Sequence, residues 1–229
     1  MTDTDKADVM VVGAGAGGIC AALAAARSGA RTLLIEKAPE IGGTGVHSPV
    51  SLVCKFHGTD HRPVNMGIHR ELFPEIYVHS TRDRRSCAPR LTYDEKQLAA
   101  RYRKLLDAEP LLTERTGSGV AQVHREGRKI SSLMLEDGSE LSSAVYLDAT
   151  ADGNLSALAG CRTQKGREGD GALQSATLVF AMSGINRTEL QVPEFSTRGG
   201  LKSLWGELTE LFLRGKAAGR TENPKKSVV

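Results

Sequence analysis

Aromatic residues make up only 4% of the 229-residue chain, and no apolar run comes near the 18 or so residues that a membrane-spanning helix needs. Residues 1–7 are polar and acidic, unlike the charged and apolar start of a signal peptide, so no membrane partner is expected. The four cysteines, Cys20, Cys54, Cys87 and Cys161, stand far apart with no C-x-x-C pair, which argues against a zinc ribbon or a dithiol centre and for a reducing, cytoplasmic setting. The net charge is only +3, and lysines and arginines are scattered rather than gathered into a stripe with interleaved aromatics. Nucleic acid is therefore not an expected partner. Repeats and low-complexity tracts are absent, and no spacing of Ser, His, Cys or paired carboxylates marks a catalytic set. What remains is a globular chain with both charge signs mixed.

The first 36 residues carry the clearest pattern. Residues 9–12 form a short apolar run, 13–18 are glycine-rich, and 19–28 are dense in alanine before Gly29. A second apolar run, 32–35, closes on Glu36. Strand, turn, helix and strand follow, one compact βαβ unit over 8–36. Residues 39–89 are irregular, rich in glycine and proline, with a short helix expected near 68–73. Thr92 and Glu95 have capping-box spacing, and Leu98, Tyr102, Leu105 and Leu106 then share a helical face up to Pro110. Residues 120–123, 130–135 and 144–147 read as strands of a small antiparallel addition, with a turn at Glu136, Asp137 and Gly138. One or two helical turns are expected over 155–159, a strand over 177–182 and a final helix near 202–213.

Gly13, Gly15 and Gly18 stand as G-x-G-x-x-G between the first strand and the helix, and Glu36 follows Gly13 by 23 positions. That is close to the spacing at which an acidic residue meets an adenosine ribose. Each glycine meets a physical need. Gly13 allows the sharp turn, Gly15 admits a pyrophosphate to the backbone, and Gly18 lets the helix pack close to the strand. The backbone from Gly13 through Ala14, Gly15, Ala16 and Gly17 to Gly18 is thus the expected phosphate cradle, at a helix start whose N–H groups favour an anion. Glu36, followed by Lys37, would accept from ribose hydroxyls and repel a 2′-phosphate, which disfavours NADP. Between FAD and NAD the fingerprint does not decide.

After Glu36 come Lys37, Ala38, Pro39, Glu40, Ile41, Gly42, Gly43 and Thr44. Here the chain resembles the FAD-dependent oxidoreductases with a glutathione-reductase-type nucleotide-binding domain, and more narrowly the fumarate reductase and succinate dehydrogenase flavoproteins. The resemblance implies that Gly42 and Gly43, with Thr44, pass beside the phosphates and lead toward the flavin. It also implies that Ala149, Thr150, Ala151, Asp152 and Gly153 match the family's A-T-G-D-G segment, where the chain returns to the nucleotide. Ala151 departs from that pattern; a left-handed backbone there would cost about 1 kcal/mol. Asp152 is as readily an N-cap of the following turn as a cofactor ligand. Val120 matches the position whose backbone meets adenine, although a buried strand valine needs no ligand. The similarity extends from about residue 8 to residue 180.

The expected architecture is therefore α/β: a Rossmann-like FAD-binding domain over 1–180, its sheet parallel with a small antiparallel β addition and an irregular insertion at about 45–90. Residues 181–229 would begin a second, substrate-side domain left incomplete. FAD is the expected cofactor and hydride transfer with a small organic molecule the implied reaction, with an electron acceptor or a completing polypeptide as further partners. An NAD-binding dehydrogenase, and an FAD-binding fragment without turnover, are the alternatives. No catalytic residue can be carried over from the resemblance, and no metal is expected: Cys54, His57, Asp60 and His61 lack a partner cluster. Arg82, Asp83, Arg84 and Arg85 read equally well as an attraction for an anionic substrate and as a polar linker. His47 lies eleven residues after Glu36, roughly where the family's covalent flavin histidine falls, but Val46 and Ser48 do not reproduce that motif.

Overall fold

The computed structural model describes residues 6–48, 50–54, 64, 67–74, 90–174, 213, 214, 217 and 218. The chain divides into two compact units, Met1–Phe180 and Ala181–Val229. The expected strand at 177–182 and the insertion residues 55–63 and 75–89 lie outside the described residues, and so does nearly all of the expected helix at 202–213.

In the first unit, β1 (Lys6–Val12) leads into helix α1 (Ala16–Arg27), which returns to β2 (Thr32–Glu36). Alanine-rich composition favours the helix, and it buries Ile19, Ala22, Leu23 and Ala26 along one face. It ends at Gly29, whose φ of 89° no other residue type adopts easily. Short elements follow, α2 (Thr44–His47), β3 (Leu52–Cys54), α3 (Ile68–Leu72) and β4 (Arg90–Thr92), so the described part of the irregular insertion is not without structure. Helix α4 (Glu95–Asp107) then precedes β5 (Leu112–Thr116), β6 (Val120–Glu126), β7 (Lys129–Leu135), β8 (Glu140–Asp148) and a single-turn helix α5 (Asn154–Leu158).

Six strands form one sheet in the order β5-β2-β1-β8-β7-β6. Parallel pairing joins β5, β2, β1 and β8, and antiparallel pairing joins β8, β7 and β6. Two features differ from the sequence reading. The polar segment Leu112–Thr116 is a strand, parallel to β2. The last strand of the expected antiparallel addition belongs instead to the parallel core: β8 runs beside β1 from Ser142 to Asp148 and meets β7 only at Glu140 and Leu141. Where β7 and β8 part, the Tyr146 hydroxyl accepts from the Ser143 amide at 2.9 Å and donates to the Ser131 carbonyl at 3.2 Å.

Strand alternation sorts the core onto two faces. Val11 and Leu34 pack under α1 with Leu98, Tyr102 and Leu106 of α4. Met10, Val12, Leu33 and Ile35 point the other way, against Leu133, Leu135, Leu141 and Leu155. On β8, Val145 and Leu147 lie in register with Val9 and Val11, yet they are 51% and 40% exposed.

The start of α4 also departs from the sequence reading. The helix begins at Glu95, and Thr92, three residues before it, ends a strand paired with Leu52. Asp94 is the N-cap, accepting from the Gln97 amide at 2.9 Å. Asp94→Ala is expected to lower stability by about 1 kcal/mol, read as an earlier midpoint in urea unfolding with an unchanged slope.

Candidate cofactor site

Three loops meet at the carboxyl ends of β1, β2 and β8, the edge of an open α/β sheet at which ligands bind. Backbone hydrogen bonds tie them together: the Gly13 amide donates to the Ile35 carbonyl at 2.7 Å, Gly42 to Ala14 at 2.8 Å, and Ala149 to Val12 at 2.8 Å. The glycines divide into two kinds. A Cβ on Gly18 would stand 1.7 Å from the Gly13 carbonyl oxygen, and one on Gly13 would stand 2.6 Å from the Ala149 oxygen. These two are required by packing. Around the Cβ positions of Gly15 and Gly17, by contrast, nothing lies within 4 Å.

That open space lies at the start of α1. Gly15 is the N-cap and no side chain caps it; the first intrahelical bond is the Ile19 amide to the Gly15 carbonyl, 3.0 Å. The amides of Ala16, Gly17 and Gly18 thus precede the bonded ladder, at the positive end of the helix dipole. Ala16 and Gly17 are exposed, whereas Ala14 is buried. Gly43, with φ of 53°, approaches so closely that its Cβ would lie 3.0 Å from the Gly15 Cα. A diphosphate fits this cradle: unbonded amides, a positive dipole end and no side chain in the way.

Glu36 ends β2 half-buried, and both its oxygens are engaged. Oε2 accepts from the Ala14 amide at 2.7 Å and Oε1 from the Ala38 amide at 2.9 Å. A carboxylate offers about four acceptor sites, so capacity for hydroxyl donors remains. The segment preceding Val120 runs alongside: Gly117 donates to the Ala38 carbonyl at 2.9 Å and Ser118 to the Glu36 carbonyl at 3.4 Å. Gly119 donates to Glu136 Oε2 at 3.0 Å, and a Cβ on it would stand 3.1 Å from the Lys37 Cβ. The packing thus places the entry to β6, and with it Val120, beside residues 36–38. Glu136, read from the sequence only as a turn residue, takes part here. Lys37 and Thr44 are exposed.

In the third loop, Ala149 packs directly on the glycine turn, its Cβ 3.2 Å from where a Gly18 Cβ would be. The left-handed residue here is Gly153, φ 67°, and Ala151 has no positive φ, so the expected cost at Ala151 does not arise. Asp152 is exposed and is not the cap of α5, which begins from Gly153 with no side-chain cap. The polar braces come from Asp148 and Thr150. Asp148 Oδ1 accepts from the Thr150 amide at 3.0 Å and its hydroxyl at 2.6 Å, while Oδ2 accepts from the Ser156 amide at 2.7 Å. Burial by itself would raise the Asp148 pKa, but the hydrogen bonds from Thr150 and Ser156 outweigh it and hold the carboxyl below the usual range.

The His47 ring Nε2 lies 3.0 Å from the Ile41 carbonyl. Among the described residues no group of three or more His, Cys, Asp or Glu could hold a metal ion; His57 and His61 and residues 82–85 lie outside them. One Ser/His/Glu cluster does assemble on the antiparallel strands. The Ser132 hydroxyl donates to Glu140 Oε1 at 2.5 Å, and His124 Nδ1 is 3.2 Å from both. Serine and acid share one ring nitrogen, so His124 does not stand between them as a base oriented by the acid, and no nucleophile is activated. No helix among the described residues is long and apolar enough to cross a membrane.

The sequence model of a family described as "FAD dependent oxidoreductase" matches residues 8–219. Digeranylgeranylglycerophospholipid reductase of Methanocaldococcus jannaschii is 63% identical over 38 residues, which are 17% of this chain and 10% of that protein. The alpha subunit of sarcosine oxidase from a Corynebacterium species is 60% identical over 37 residues, 16% of this chain and 4% of the relative. Among solved structures, GidA of Aquifex aeolicus aligns with a TM-score of 0.49 and 21% identity, over 65% of this chain and 25% of its own. The matches therefore take in a tenth or less of the curated relatives' length.

Proposed function

Because the chain belongs to the family of FAD dependent oxidoreductases, we propose that its three converging loops hold FAD and that it transfers a hydride between a small organic substrate and the flavin. The observation that carries the placement is the uncapped start of α1 facing open space at Gly15 and Gly17. In this reading the diphosphate takes the amides of Ala16, Gly17 and Gly18. Gly42 and Gly43 flank it, and Glu36 accepts from the ribose through the lone pairs that Ala14 and Ala38 leave. The Glu36 charge repels a 2′-phosphate. Residues 118–120, beside 36–38, form the adenine end. When bound, FAD supplies a ring that takes up or releases a hydride; the protein's part is to bind and orient it. Family membership favours FAD over the NAD alternative. A redox partner that accepts the electrons, and a polypeptide segment completing the substrate side, belong to the same proposal.

The test is uptake. Protein incubated with FAD and desalted is expected to keep a flavin absorption band that excess NAD or NADP does not displace. A colourless protein that instead binds NAD would overturn the reading. Anaerobic bleaching of the band by a panel of small donors then separates an enzyme from a binding fragment, and a band that no donor bleaches counts against hydride transfer.

A further inference from the structure

The polar side chains at the end of β8 are directed into their own turn. The Thr150 hydroxyl has one proton, which it donates to Asp148 Oδ1 at 2.6 Å, and it accepts from the Asn154 amide at 2.7 Å. Asp148 itself takes three donors, the Thr150 amide and hydroxyl on one oxygen and the Ser156 amide on the other. One carboxylate thereby gathers residues 148, 150 and 156 into a fixed loop. From the far end, Arg125 of β6 donates to the Ala159 carbonyl at 2.7 Å, just past α5. The loop so held carries Ala149, whose carbonyl and Cβ crowd Gly13 and Gly18 and whose amide bonds to Val12.

Resting on the FAD reading above, we infer that Asp148 is a positioning residue: acting through Thr150, it fixes the Ala149–Gly153 turn against the glycine loop and so sets how tightly the dinucleotide is held. The Thr150 hydroxyl is then a brace rather than a ligand. A charge-assisted acceptor for three donors suits this role, and asparagine does not, because its NH2 group would oppose one of the donors.

The experiment is an FAD titration of the full chain, followed by flavin fluorescence, with the parent, Asp148→Asn, Thr150→Val, Thr150→Ser and the double variant Asp148→Asn/Thr150→Val. Circular dichroism checks that each remains folded. The expected result is a Kd raised about tenfold or more by Asp148→Asn and similarly by Thr150→Val, with Thr150→Ser restoring parental affinity because it keeps the hydroxyl. The double variant should be no worse than the weaker single, since residues acting as one unit are not additive. Asp148→Asn binding within twofold of the parent overturns the inference, and so do single effects that multiply in the double variant. If Asp148→Asn does not fold, the Thr150 pair decides, and a valine variant with parental affinity overturns the brace. A parent that takes up no FAD overturns the cofactor reading, and this inference with it; a parent that binds while Asp148→Asn binds equally well overturns the inference alone.

Discussion

Gly18→Ala is expected to abolish the native fold of the first unit. The added methyl would be placed 1.7 Å from the Gly13 carbonyl oxygen and 3.2 Å from the Ala149 Cβ. Neither obstacle is a flexible side-chain end that can swing away. The carbonyl belongs to the turn that begins α1, and Ala149 is bonded to Val12 in the centre of the sheet. Relief would require α1 to move off β1, taking with it the fully buried contacts of Ile19, Ala22 and Leu23. Overpacking at ordinary core sites costs about 1–3 kcal/mol. A backbone collision with no available rotamer belongs to the exceptional class above about 4 kcal/mol, a large part of a typical domain's stability. Urea unfolding followed by circular dichroism should show a midpoint near zero denaturant or no cooperative transition. A variant that unfolds within about 1 kcal/mol of the parent would mean that α1 and β1 are not packed as described.

The βαβ unit was legible because its signals are local: apolar runs of strand length, alanines at helical spacing and glycines at the two reversals. The acidic residue at the end of β2 was legible by spacing, but its bonds to Ala14 and Ala38 were not, since they depend on how the loops fold back. The cap of α4 shows how two local signals compete. Thr92 with Glu95 and Asp94 with Gln97 both have capping spacing, and the helix starts at Glu95, so that Asp94 stands at the cap while Thr92 ends a strand paired with the distant Leu52. Strand β5 escaped notice because its residues, Leu-Thr-Glu-Arg-Thr, are mostly polar and sit at the sheet's outer edge. For β8 the strand itself was clear, but local pattern carries no record of which neighbour it chooses. Asp148 shows the same limit in the site. Its bond to the Thr150 amide two residues on is an Asx turn, but Ser156, eight residues away, follows no local spacing, so the role emerges only once the loop is formed; Asp152, which the resemblance picks out, is exposed.

Gly15→Val separates binding from folding, as Gly18→Ala cannot. Gly15 has φ of −75° and ψ of −177°, extended backbone that any residue adopts, and its Cβ would meet nothing within 4 Å. Valine is a poor N-cap, so a loss of about 1 kcal/mol is expected at most, and the thermal midpoint should fall by only a few degrees. The branched side chain would occupy the space in front of the free amides, where the diphosphate of the proposed FAD must rest. Binding should weaken by a hundredfold or more, on the order of 3 kcal/mol, because the ligand loses several charge-assisted hydrogen bonds and meets a clash in their place. The comparison to make is flavin content after desalting against thermal midpoint for the two glycine variants: Gly18→Ala loses both, Gly15→Val only the flavin. A folded Gly15→Val protein as yellow as the parent would place the diphosphate elsewhere. The helix start would then be only a turn between strand and helix, and the fit drawn from its open amides would no longer support cofactor binding.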